Sequence, residues 1–165
     1  MQIGQSIGVW RRSQDRTRRP GERVALVAYG VAITEILPVA AAELAKPEAV
    51  EVRILWASRT QADTFWLDQL DALKLQHGNR FSYVEIISRD PGYAEHVGAL
   101  QGRITADVLR AVYDEHWGTS VSGPNEEARG GVRFLNVAEK QLIKEADKLW
   151  QFELGYPQQA HKLLL

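Results

Sequence analysis

The stretch VALVAYGVAITEILPVAAAEL, Val24 to Leu44, constrains the fold more than any other part of the chain. A continuous apolar run breaks at Gly30 and gives way to an alanine-rich helical pattern. A run without polar alternation suits a strand buried on both faces, as in an open parallel sheet. The turn itself supports two readings. A glycine lets the backbone turn sharply and lets an anion approach, and the helix after it offers free N–H groups and a positive dipole end to a phosphate. The other reading is a tight strand-to-helix connection without a ligand. Ala32 adds a methyl where a second glycine would leave the approach open, and Glu35 adds a negative charge. Pro38 fits best in a first helical turn, so the regular helix is expected to start nearer Leu37 than Ile33.

The rest of the chain repeats the alternation. Strands are expected at Arg23 to Tyr29, Val50 to Ala57, Phe81 to Ile87 and Val132 to Val137, with HKLLL as a short terminal strand. Helices are expected at Thr34 to Ala45, Ala62 to His77, Ala106 to His116 and Ala138 to Leu154. In the second of these Trp66, Leu70 and Leu73 share one side, and Thr60 and Asp63 have capping-box spacing. Ser88 to Gln101 is read as a loop holding DPG, and Gly118 to Gly131 as a Gly/Ser/Pro/Glu-rich connection. Strands alternating with helices make an α/β fold, a parallel sheet with helices on both faces. Its ligands belong at the carboxyl ends of the strands.

Composition narrows the function classes. A net charge of −1 over 165 residues argues against nucleic acid as a partner. The chain has no cysteine, which excludes disulfides, thiolate zinc sites and a cysteine nucleophile. His77, His96, His116 and His161 show no metal-ligand spacing, so no metal site is expected. No G-x-S-x-G elbow appears. No apolar run is long enough for a transmembrane segment, and the start lacks a signal-peptide hydrophobic region. A cytoplasmic or mitochondrial protein is expected, not a secreted one. Charge concentrates from Trp10 to Arg23, where six arginines face Asp15 and Glu22. Residues 1–22 read as a basic arm and 23–165 as one domain.

Candidate site residues follow from the strand ends. Gly30, Val31, Ala32 and Thr34 form the first turn. Ser58 and Arg59 follow the second strand, Ser88 and Arg89 the third. An arginine suits phosphate, and two Ser-Arg pairs on neighbouring strand ends make a small basic pocket. Asn136 lies at the end of the fourth long strand.

The order of these features resembles the nicotinamide-nucleotide-binding domain of the ferredoxin–NADP reductase superfamily, in its cytochrome b5 reductase-like branch. Gly30-Val31-Ala32-Ile33-Thr34-Glu35 is similar to that family's G-T-G-I-T/A-P turn. WASRTQADTFWLDQL, IISRD, Gly102-Arg103-Ile104 and FELGYPQQAHKLLL resemble its later segments. The resemblance implies a Rossmann-like sheet of five parallel strands in the order 3-2-1-4-5. It also implies binding of NADPH or NADH, with a lean to NADPH, for hydride transfer to a flavin. Gly30, Val31, Ala32 and Thr34 would line the pyrophosphate and nicotinamide side; Ser58, Arg59, Ser88 and Arg89 would flank the adenosine ribose. Asn136 would stand near the nicotinamide end, where the family has C-G-P-P and this chain has Leu135-Asn136-Val137-Ala138. The family's flavin-binding barrel is absent from the sequence, so FAD would come from a separate domain or chain, and residues 1–22 would be a remnant of that domain's tail. The electron acceptor and catalytic residues are not given by the sequence. The alternative reading is a degenerate domain kept as a binding or scaffold module.

Overall fold

The computed structural model describes residues 23–47, 51–118, 132–137 and 161–163, and positions 142, 144, 145, 148, 149, 153 and 154; at 132–137 and 161–163 it describes the backbone. The arm, residues 119–131 and most of the expected last helix lie outside the described residues. Strand β1 (Arg23–Tyr29) is buried along its whole interior, as its unbroken apolar run requires. It pairs in parallel with β2 (Glu51–Ser58) on one side and with β5 (Val132–Val137) on the other. β2 pairs with β3 (Phe81–Ile87), placing Ser58 opposite Ile87. β6 (His161–Leu163) pairs with β5.

Among the described residues the sheet has six parallel strands in the order β4-β3-β2-β1-β5-β6, not five in the order 3-2-1-4-5. The difference is β4 (Leu100–Gln101), which pairs with Ile86 and Ile87 at the outer edge. Two residues carry no readable period, so this strand was hidden in the expected loop. The same loop holds a helix, α3 (Pro91–Val97). Asp90 caps it by accepting the Tyr93 N–H, Pro91 opens it, and Gly98 closes it in the left-handed conformation. Only Ala94 of its residues is buried, so α3 shows no apolar stripe.

Side chains alternate between the two faces of the sheet. Val24, Leu26, Ile54 and Trp56 pack under α1 (Ile33–Leu44) and α2 (Leu67–His77). Ala25, Val27, Leu55 and Ile86 pack under α4 (Ala106–Leu109), which continues as a π-helical turn over Arg110–Glu115. The start of α1 is not delayed to Leu37. A 3₁₀ turn, Gly30–Ala32, runs directly into Ile33, and Pro38 sits inside the helix. Pro38 and Thr34 are both exposed, so water can satisfy the Thr34 carbonyl that a proline leaves without its helical donor. Helix α2 begins at Leu67 and not at Ala62. The Thr60/Asp63 capping box exists, but it closes a separate 3₁₀ turn, Gln61–Asp63.

Candidate functional site

At the carboxyl ends of β1, β2 and β3 the loops enclose a cleft of about 1100 Å³. Its floor is built by the strand ends. β1 delivers Tyr29 and Gly30, and β2 delivers Ala57, Ser58 and Arg59. The loop after β3 delivers Ser88 and Arg89. Gly102 to Ala106, at the start of α4, also line it, as do Glu145, Lys148 and Leu149.

Backbone pairing continues past the ends of the strands. The Ser88 N–H donates to the Ser58 carbonyl at 3.0 Å, and the Arg89 N–H to the Arg59 carbonyl at 2.8 Å. The Ser88 hydroxyl also donates to the Ser58 carbonyl, at 3.3 Å. Asp90 adds a link between the loops by accepting the Gln61 N–H at 3.4 Å while it caps α3. Both Ser-Arg pairs are therefore held side by side. Their side chains differ in role. Ser58 is buried, and its Oγ has no hydrogen-bond partner among the described residues. Among the described residues Arg59 pairs with Asp63, at 3.7 Å, and its side chain is 68% exposed. Arg89 and Arg103 are exposed at the same cleft.

The first turn is fixed from β2. The indole N–H of fully buried Trp56 donates to the Gly30 carbonyl at 2.9 Å. Gly30 has φ +55°, the left-handed region, so glycine is needed there for its backbone and not for space: a Cβ would meet nothing within 4 Å. Gly30 and Val31 line the cleft. Ala32 does not; it is buried in the core beneath α1, so its methyl does not narrow the approach. Thr34 also stands back, with its hydroxyl donating to the Val31 carbonyl at 2.9 Å. Asn136 lies on β5 opposite Val27, and its side chain lies outside the described residues.

Electrostatically the cleft is mixed. Arg59, Arg89, Arg103 and Lys148 bring positive charge, and Asp63, Glu145 and Glu153 negative. Burial, reinforced by the charge of Glu145, pushes the Tyr29 phenol up to about 12, so it is neutral at physiological pH. The donor set combines an orphaned buried hydroxyl, Ser58 Oγ, with exposed guanidinium groups, a mixture that suits a ligand carrying both hydroxyl and phosphate groups. Among the described residues no group of acids and histidines could hold a metal ion.

Residues 26–129, well over half the chain, match the oxidoreductase NAD-binding domain family. The chain belongs to this family. No curated protein gives a significant match. Solved structures agree on the fold. The cytochrome b5 reductase domain of Ulva prolifera nitrate reductase superposes with a TM-score of 0.67 at 21% identity, covering 88% of this chain and 55% of that one. The Amycolatopsis cytochrome P450 reductase GcoB gives 0.66 at 16%, covering 88% and 38%. The CS-b5R domains of human Ncb5or, in their NAD+ form, give 0.64 at 16%, covering 87% and 37%. This NAD-binding domain thus has a cytochrome b5 reductase-like and ferredoxin reductase-like fold, and it spans between about a third and just over half of those chains.

Several cleft residues were not singled out from the sequence for this site. Gly102 and Arg103 are readable in retrospect, because they precede Thr105, which caps α4 by accepting the Val108 N–H. Phe65 carries a weaker signal: an aromatic off the Trp66–Leu70–Leu73 stripe, in an otherwise polar segment. Tyr29 ends an apolar run and reads as core. Lys148 and Glu145 carry no local signal that separates them from a solvated helix face.

Proposed function

We propose that this domain holds a nicotinamide dinucleotide, with NADPH preferred, for hydride transfer to a flavin on a separate domain or chain. The observation that carries the reading is the pair of Ser-Arg turns pinned side by side at the ends of β2 and β3. Membership of the oxidoreductase NAD-binding domain family supports the ligand class. Ser58 Oγ would meet a ribose oxygen, and Arg59 and Arg89 a phosphate on the same ribose. The Gly30–Val31 turn would take the pyrophosphate through its backbone. When bound, the nicotinamide ring supplies the hydride; the chain's contribution is to bind and orient it. The flavin partner is supported by the relatives, which are reductases of which this chain spans only part. Among the described residues no helix is long and apolar enough to cross a membrane.

Calorimetric titration tests the reading. NADPH should bind saturably and more tightly than NADH. Arg59→Ala and Arg89→Ala should each weaken NADPH by about tenfold, as expected for one charge-assisted contact, and NADH much less. Equal losses for both nucleotides would remove the preference for NADPH. No saturable binding of either would leave the scaffold-module reading in its place.

A further inference from the structure

We propose that Phe65 is the base-stacking platform of the cleft and binds the adenine ring of the nucleotide. This rests on the nicotinamide-dinucleotide reading and adds the residue that recognises the base. Phe65 lines the cleft and is 56% exposed, the one aromatic among the exposed large apolar side chains of the described residues. Its position is nonetheless defined. The ring stands edge-on to Trp56, with centroids 6.5 Å apart and planes at 87°. It also contacts Trp66, at 6.2 Å and 59°. Trp56 is itself anchored by its bond to the Gly30 carbonyl. Two aromatic neighbours thus hold an aromatic ring whose remaining surface faces the cleft.

The chemistry of the loop identifies the occupant. Phe65 follows Ser58 and Arg59 in the same segment, after the turn closed by Thr60 and Asp63. Ser58, Arg59 and Phe65 all line the cleft, so a ribose held by the first two would bring its base into the pocket that Phe65 lines. The base that fits is a flat, heteroaromatic purine, which gains from a π face regardless of hydrogen bonding. With the adenine on Phe65, an extended dinucleotide would carry its nicotinamide half away from this ring.

The test uses the full chain and two half-ligands, 2′-phospho-ADP-ribose and nicotinamide mononucleotide, titrated calorimetrically. Phe65→Leu keeps an apolar side chain without a π face, Phe65→Thr removes the bulk, and Phe65→Tyr restores the ring. Thermal melts confirm that each variant folds. Phe65→Leu and Phe65→Thr should weaken 2′-phospho-ADP-ribose by about tenfold. Phe65→Tyr should stay within about twofold of the parent, and nicotinamide mononucleotide should be unaffected by all of them. Parent-like affinity for 2′-phospho-ADP-ribose in whichever of the Leu and Thr variants folds would overturn the proposal and leave the dinucleotide reading standing. A loss confined to nicotinamide mononucleotide would overturn it too, by placing the other ring on Phe65. Failure of the parent chain to bind 2′-phospho-ADP-ribose, NADPH or NADH would overturn both.

Discussion

Gly30 is shaped by two separate demands, one on its dihedral angle and one on its carbonyl. Its φ of +55° disfavours any L side chain although the space around it is open. Gly30→Ala should therefore destabilise the fold by about 1 kcal/mol through backbone strain alone. Trp56→Phe should cost about 2–3 kcal/mol in urea denaturation, because it removes both the indole bond to that carbonyl and packed volume. It should also weaken nucleotide binding, since the turn loses its tie to β2. Unchanged affinity in a folded Trp56→Phe variant would show that the tie serves stability only. Tyr29, one residue earlier, links the site to pH. Its phenol loses its proton near pH 10 in the unfolded chain and near 12 in the folded one. The folded state thus binds more protons in that window, so this contribution to stability is complete below pH 10 and declines as pH rises to 12. Burial raises the Tyr83 and Tyr113 phenols in the same direction. Stability curves at pH 9 and 11 should show the decline, and Tyr29→Phe should reduce it.

Helix α1 carries a local rule broken without visible compensation. Pro38 lies well inside Ile33–Leu44, is exposed, and leaves the Thr34 carbonyl without a helical donor. Pro38→Ala should stabilise the domain by about 1–2 kcal/mol, the helix-propensity gain less the proline's restriction of the unfolded chain. A melting temperature raised by several degrees would bear this out, and a fall would mean that the ring packs usefully. The elements also show what a sequence can disclose. β1, β2, β3 and β5 were readable because each is an apolar run long enough to have a pattern. α3 was not, although Asp90, Pro91 and Gly98 mark both its ends, because one buried alanine makes no stripe. The capping box was readable, but capping spacing does not distinguish an α-helix from the 3₁₀ turn that Phe65 and Trp66 follow. At the cleft, Ser58, Arg59, Ser88 and Arg89 could be placed because strand ends locate them. Ala32 and Thr34 could not, because the 3₁₀ turn directs one into the core and ties the other to Val31. Phe65 was missed because exposure is decided by tertiary packing, which period and composition do not encode.

The molecule has two poles with different work. The cleft occupies the carboxyl end of the sheet. At the amino end a polar clasp joins β1, β2 and β3 to the end of the helical segment after α4. Glu51 accepts the Trp117 indole N–H at 2.8 Å and contacts His116 Nε2 at 2.8 Å. Arg53 donates to the Ser82 hydroxyl at 2.8 Å, and Arg23 to the Trp117 carbonyl at 3.3 Å. None of these residues lines the cleft. Trp117 is buried, so deleting its acceptor strands an N–H away from water. Glu51→Ala should therefore cost about 1–3 kcal/mol of unfolding free energy. Because the clasp and the cleft share no partners, the same variant should keep its NADPH dissociation constant within about twofold. Urea denaturation and calorimetry on one preparation separate the two effects. A tenfold loss of affinity in folded Glu51→Ala would mean that strain at the amino pole reaches the strand ends, and the sheet would then couple its poles.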